Sequence, residues 1–317
     1  SNSRRTAIAL TVAAATVAAL VWIVLGRPSG LAEVDAPPLA SCGWAALIAL
    51  AVAGVVVCLN PWSGTRLEAR LTAIGGLLAV LLLPAVAKGA LADEPGLAIT
   101  GLGWLALAML LRFQDTQPLW AGLAAGGLLA GAGWLDLDAT LLLVPLLAGC
   151  SAAPHRVVPT GAIPRRPNHR LAAFGFALLV AGAAAAVWWS RDPEPLTRWV
   201  AGLELAAPPD LGARLQAVGV RAGTLVGIPA AIAAVVCGIA WLGSGAPGLL
   251  MAGWALTCHA AVVLVLVPAP PDALLWPALP WVAVVLALGW RSFHPGSRLG
   301  SALVLIALGL GVAALSP

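Results

Sequence analysis

The sequence predicts an all-α, polytopic transmembrane helical bundle of about eleven spans, in a range of about ten to twelve, and three observations carry that expectation. Of 317 residues, 61% are hydrophobic and only 9% charged. A soluble domain is apolar at about half of its positions at most. The apolar runs are continuous for about 15 to 22 residues, whereas a membrane β-barrel shows alternating segments of about ten. Charged residues are also sorted between the two sides of those runs, as described below.

Apolar stretches divided by charged or proline-rich breaks place the spans at roughly 6–26, 44–60, 71–90, 97–112, 119–135, 139–153, 171–190, 222–243, 248–267, 274–290 and 299–316. Arg4 and Arg5 precede the first run, which is long for a signal-peptide core and lacks an A-x-A cleavage site, so a retained helix is expected. With a cytoplasmic N-terminus, Arg4, Arg5, Arg66, Arg70, Arg112, Arg156, Arg165, Arg166, Arg170, Arg291 and Arg298 all fall inside, in keeping with the positive-inside rule. Only Glu68 and Asp115 join them, so the outer face is acidic. Tyrosine is absent and arginine almost replaces lysine, the residue usage of a GC-rich bacterial genome. The expected location is therefore a bacterial inner (plasma) membrane, crossed many times.

Two segments can be overlaid as a candidate parallel internal duplication. Arg4 falls on Arg170, Val21-Trp22 on Val187-Trp188, Val56-Val57-Cys58 on Val235-Val236-Cys237, and Leu83-Pro84 on Val267-Pro268. The rival is chance similarity in a chain so rich in Ala, Leu and Val. The division expected is a first helical half at 1–153, with about six spans, a cytoplasmic Pro/Arg-rich linker at 154–170, and a second half at 171–317 with about five. The linker interleaves Pro154, Pro159, Pro164 and Pro167 with Arg156, Arg165 and Arg166, a composition suited to an extended segment at an anionic lipid surface. Docking of a soluble partner there is the sharper alternative. Between 195 and 218, helical spacing of Leu196, Trp199, Val200 and Leu203, then of Leu211, Leu215 and Val218 after Pro208-Pro209-Asp210, predicts two short outer surface helices.

Few groups in this chain could carry chemistry. Lys88, the sole lysine, follows Pro84 by four residues and precedes Asp93-Glu94 by five. Pro84 can kink the helix, and broken helices line ion or substrate paths. Lys88 with Asp93 and Glu94 is thus a candidate transport or proton path, and the plain alternative is a lysine that reaches the outer headgroups. His259 lies midway along an apolar span, where an imidazole is costly unless bonded. It is the second proton-path candidate, against a core histidine bonded to a carbonyl. Asp136 and Asp138 form nearly all of the turn between two short spans, and could hold a lipid-linked phosphate through a divalent cation, or be solvated turn residues. Trp62, Trp120, Trp134, Trp188, Trp189, Trp276 and Trp281 lie near span ends, as in an interfacial belt.

Cys42, Cys58, Cys150, Cys237 and Cys258 show no C-x-x-C or Cys/His spacing, so no metal site or disulfide is assigned. A bis-histidine haem would need a second membrane histidine, and no cofactor is expected. There is no G-x-x-x-x-G-K-[ST] loop, H-E-x-x-H or G-x-S-x-G, and no resemblance to a family specific enough to name. The catalytic residues, if any, are unknown from sequence. The leading expectation is a transport-type protein, either a small-solute carrier or a proton- or ion-translocating subunit of a larger complex. An outer-face enzyme acting on a lipid-linked substrate, in the manner of a polyprenyl-phosphate glycosyltransferase, is the second reading, and a non-catalytic scaffold subunit is the third. Expected partners are membrane lipids and other membrane subunits, with no nucleic acid.

Overall fold

The computed structural model describes residues 39–59, 66–92, 95–114, 116–135, 168–194, 210–243 and 275–292, with the isolated positions 143, 144, 147, 148 and 197. Helix accounts for 94% of the described residues, and no strand occurs among them. Nine α-helices are described: α1 (Leu39–Leu59), α2 (Arg66–Leu81), α3 (Pro84–Ala92), α4 (Pro95–Phe113), α5 (Pro118–Leu135), α6 (Asn168–Arg191), α7 (Leu211–Val226), α8 (Ile228–Gly243) and α9 (Leu279–Ser292). A 3-10 turn, Trp276–Ala278, leads into α9.

Four of these helices are long and apolar enough to cross a membrane, and up to six crossings result if each of two bent pairs is one span. At 1.5 Å per residue, the 21 residues of α1 reach about 31 Å, the thickness of a bilayer's hydrocarbon core. This fits a multi-pass membrane protein. The expected spans at 44–60, 97–112, 119–135 and 171–190 coincide with α1, α4, α5 and α6, and that at 274–290 with the 3-10 turn and α9. The spans at 6–26, 248–267 and 299–316, and most of 139–153, lie outside the described residues.

At the centre stands α1, with α2, α3, α4 and α9 packed around it. Gly101 of α4 lies beside Trp44, Leu47 and Ile48, and Gly54 of α1 lies beside Ala108, so α1 and α4 run parallel. A chain that leaves α1 and enters α4 in the same direction has crossed back once between them. The chain between them holds α2 and α3, a bent pair that counts as one crossing if both parts belong to one broken span.

The turn before α9 folds over the start of α4. Trp276 covers Gly96, and the indole N–H of Trp104 donates to the carbonyl oxygen of Pro277 at 2.8 Å. Trp281 meets Trp104 edge-on, with ring centroids 5.2 Å apart. Trp276 and Trp281 are therefore core residues, 3% and 1% exposed, and not members of an interfacial belt. Trp120 and Trp134, at the two ends of α5, are exposed as a belt requires.

On the other flank, α5 packs against α4, and α6 against α5. A Cβ on Gly122 would sit 2.7 Å from the Ala173 carbonyl oxygen, and one on Gly126 would sit 2.6 Å from that of Ala177. This G-x-x-x-G face lets the backbones touch, which is how helices associate in lipid, where dispersion replaces the hydrophobic drive. Contacts advance together along both helices, from Gly122 with Ala173 to Trp134 stacked on Trp188, so α5 and α6 are also parallel. Only 11% of the span window of α6 is buried, the smallest share among the four long apolar helices.

Candidate functional site

Two helices of this fold are broken, and their breaks touch. The first break follows from Pro84, which has no N–H to give the carbonyl of Val80. The Leu83 N–H takes that carbonyl instead, at 3.2 Å, and α3 leaves α2 at 61°. The kink expected from Pro84 is thus present. Sequence reasoning placed a single span at 222–243, but the second break divides it at Gly227, and α8 leaves α7 at 99°.

Gly227 has φ 82°, a conformation in which a side chain is strained. Its N–H donates to the Gly223 carbonyl at 2.9 Å, and its carbonyl accepts from Ala231 at 3.0 Å, so both helices stay bonded through the corner. Pro229, two residues on, can donate nothing to the carbonyl of Leu225. The chain upstream also differs from the reading of 195–218 as surface segments ending at 218. α7 begins inside that segment, capped by Asp210, whose carboxylate accepts the Gly212 N–H at 3.0 Å, and it runs unbroken to Val226.

A Cβ on Gly227 would lie 3.3 Å from Cγ of Pro84. The two corners are therefore in contact, α7 lies against α3, and Val218 and Leu225 pack on the core. The N-terminal ends of α3 and α8 and the C-terminal ends of α2 and α7 converge there. Helix N-termini carry partial positive charge and C-termini partial negative charge, so the junction offers fields of both signs inside apolar surroundings.

Lys88 is one turn into α3. From Pro84 to Ala90 every residue is buried except Lys88, which is exposed. It is thus the single charged edge of a buried helix, and no described carboxylate is paired with it. On the facing helix α7, Arg221 is likewise exposed. Asp93, Glu94, Asp136, Asp138 and His259 lie outside the described residues. Among the described residues no group of three His, Cys, Asp or Glu side chains is placed to hold a metal ion.

Sequence reasoning passed over Gly227. Its signal was available in Gly227-Ile228-Pro229, a glycine followed two residues later by a proline inside an apolar run. In a chain with 35 glycines, one more inside an apolar run carries little signal.

A second feature lies at the far end of α5 and α6. An apolar groove of about 1240 Å³ runs between them, floored by Leu129, Leu178, Ala181 and Gly182 and closed at one end by Trp134 and Trp188, whose rings stack at 4.6 Å. Trp189, Arg191 and Asp192 stand at that same end. No protein-family model matches this chain, and neither does any curated protein or solved structure.

Proposed function

We propose that the chain is a transport-type membrane protein, a small-solute carrier or an ion-translocating subunit, whose working element is the pair of broken helices. The observation that carries the reading is the contact of Pro84 with Gly227 at the two breaks. A continuous helix satisfies its own backbone, and interrupting one inside a membrane leaves polar groups that must be covered by protein or line a path. Transporters use discontinuous helices of this kind, with helix ends turned toward the ion or substrate. Two breaks in contact make a pivot as well, because rotation of α3 about its corner presses on the corner of α7.

The candidate duplication supports the same class. It overlays α8 on α1 and α9 on α4; α1 packs on α4, and α8 packs on α9. Substrate sites of repeat-built transporters lie between such halves. Lys88 supplies the charge nearest in sequence to the first break, and its role is to bias the passing ion or solute.

The test is flux in proteoliposomes. Purified protein is reconstituted with an internal pH dye, a potassium diffusion potential is applied, and proton entry is compared with empty vesicles. Uptake of labelled small solutes is measured in parallel. Flux above the empty-vesicle rate, lost in Lys88→Met and in Gly227→Val with helicity retained, is the expected result. Wild-type flux in both variants would remove the assignment of the junction, and absence of any flux from well-folded protein would remove the transport reading.

A further inference from the structure

From the groove between α5 and α6, we infer a specific lipid site that takes one two-chain glycerophospholipid with a zwitterionic, primary-ammonium headgroup. The shape is the first reason. From Leu178 to Asp192 the groove follows fourteen residue steps of α6, about 21 Å at 1.5 Å per residue. That exceeds half of the roughly 30 Å hydrocarbon core, so a chain lying in it spans one leaflet. Its volume, about 1240 Å³, is above the roughly 300–1,000 Å³ of common small-ligand pockets. A long, apolar, open-sided groove of that size suits paired hydrocarbon chains, not a compact metabolite.

Polarity is the second reason, because it is confined to one end. Trp134, Trp188, Trp189 and Arg191 gather there, the residue types that sit at headgroup level. The Trp189 indole N–H is buried and has no hydrogen-bond partner among the described residues. Arg191 is exposed and pairs with no described carboxylate. The exposed Arg191 guanidinium is thus offered to a phosphate or ester oxygen. Negative charge follows at once: the last carbonyls of α6, then Asp192, one of whose oxygens already accepts the Glu194 N–H at 3.2 Å. A purely anionic headgroup would meet this charge unfavourably. A phosphate next to an ammonium meets cation with anion and anion with cation, and a primary ammonium can donate to a carboxylate where a quaternary one cannot.

The helix also leaves room. A Cβ at Gly182 would meet nothing within 4 Å, so bulk added there fills the groove without disturbing packing. The site is independent of the Pro84–Gly227 junction, and its failure would leave the transport reading untouched.

The experiment is native mass spectrometry of delipidated protein offered phosphatidylethanolamine, phosphatidylcholine, phosphatidylglycerol or a polyprenyl phosphate at equal concentration. Wild type should keep one phosphatidylethanolamine in preference to the other three. Arg191→Ala should lower its retention about tenfold, as expected for loss of a charge-assisted bond. Asp192→Asn should erase the preference over phosphatidylcholine, and Gly182→Trp should abolish retention. Leu171→Trp, on an exposed part of α6 outside the groove, should bind as wild type does. If Gly182→Trp yields no helical protein, Ala184→Leu fills the same groove. Equal retention of all lipids, or retention unaffected by filling the groove, means bulk annular lipid and overturns the site. Preference for phosphatidylglycerol or the polyprenyl phosphate overturns the headgroup assignment and with it the proposal.

Discussion

Trp104 and Trp281 share one contact yet differ in what each indole nitrogen does. The Trp104 N–H is bonded to the Pro277 carbonyl, whereas that of Trp281 is buried with no partner among the described residues. Replacing Trp104 with Phe trims the indole to a single ring and also strands a buried carbonyl, so stability should fall by the cost of the lost volume plus about 1 kcal/mol, the scale of interhelical bonds within membranes. Trp281→Phe trims its ring equally but removes an unsatisfied donor, so it should cost about 1 kcal/mol less than the Trp104 variant. Thermal unfolding in detergent checks the pair, and equal losses in the two variants would show that ring volume alone matters there. Trp281, together with Trp276, also shows what a sequence does not announce. Trp276 and Trp281 lie near the start of an apolar run, which in a sequence is the signature of a belt. Only the fold of the 3-10 turn over Gly96 makes them core, and nothing within their own segment announces that contact.

Adjacent glycines on α5 separate packing from propensity at the scale of the element. Gly126 faces α6, where a Cβ would lie 2.7 Å from that of Val180, while Gly127 has nothing within 4 Å. Gly126→Leu should push α6 away and cut the yield of monodisperse protein severely. Gly127→Leu adds helix propensity, about 1 kcal/mol relative to glycine, at an open position and should be tolerated. Size-exclusion profiles of the two variants decide the point. At the broken helices the expected cost is conformational: Gly227→Ala forces a side chain into positive φ, worth about 1–3 kcal/mol, and presses it toward Pro84. Its midpoint temperature should drop while Gly219→Ala, in open space on α7, leaves it unchanged or raises it. The locations of α1, α4, α5 and α6 were legible because uninterrupted apolar length is a direct demand of the bilayer. The break at Pro84 was legible because proline has one fixed consequence. The break at Gly227 was not, since glycine serves packing, kinking and left-handed turns alike, and the backbone angle that distinguishes them is absent from a sequence.

For the molecule as a whole, the parallel pairs constrain topology more firmly than charge counting does. α4 and α5 form a hairpin through Gln114–Gln117, so the start of α5 lies on the side where α4 ends. α6 runs parallel to α5, and its start must share that side, with Arg191 and Asp192 on the opposite one. Thr116, His169 and Asp192 are exposed at these three positions. Positive-inside counting assigns the first two to the cytoplasm and Asp192 to the outer face, and it does so from arginines such as Arg112 and Arg170 without knowledge of any contact. The two lines of argument are independent and make one prediction. In a variant with its own cysteines replaced, a membrane-impermeant maleimide applied from outside should label Asp192→Cys. It should reach Thr116→Cys and His169→Cys only after the membrane is opened. Labelling of Thr116→Cys and His169→Cys from opposite sides would break the parallel pairing of α5 with α6, and with it the groove at their ends. Labelling of both from outside would keep the pairing and invert the protein, moving Arg191 and the headgroup end of the groove to the inner leaflet.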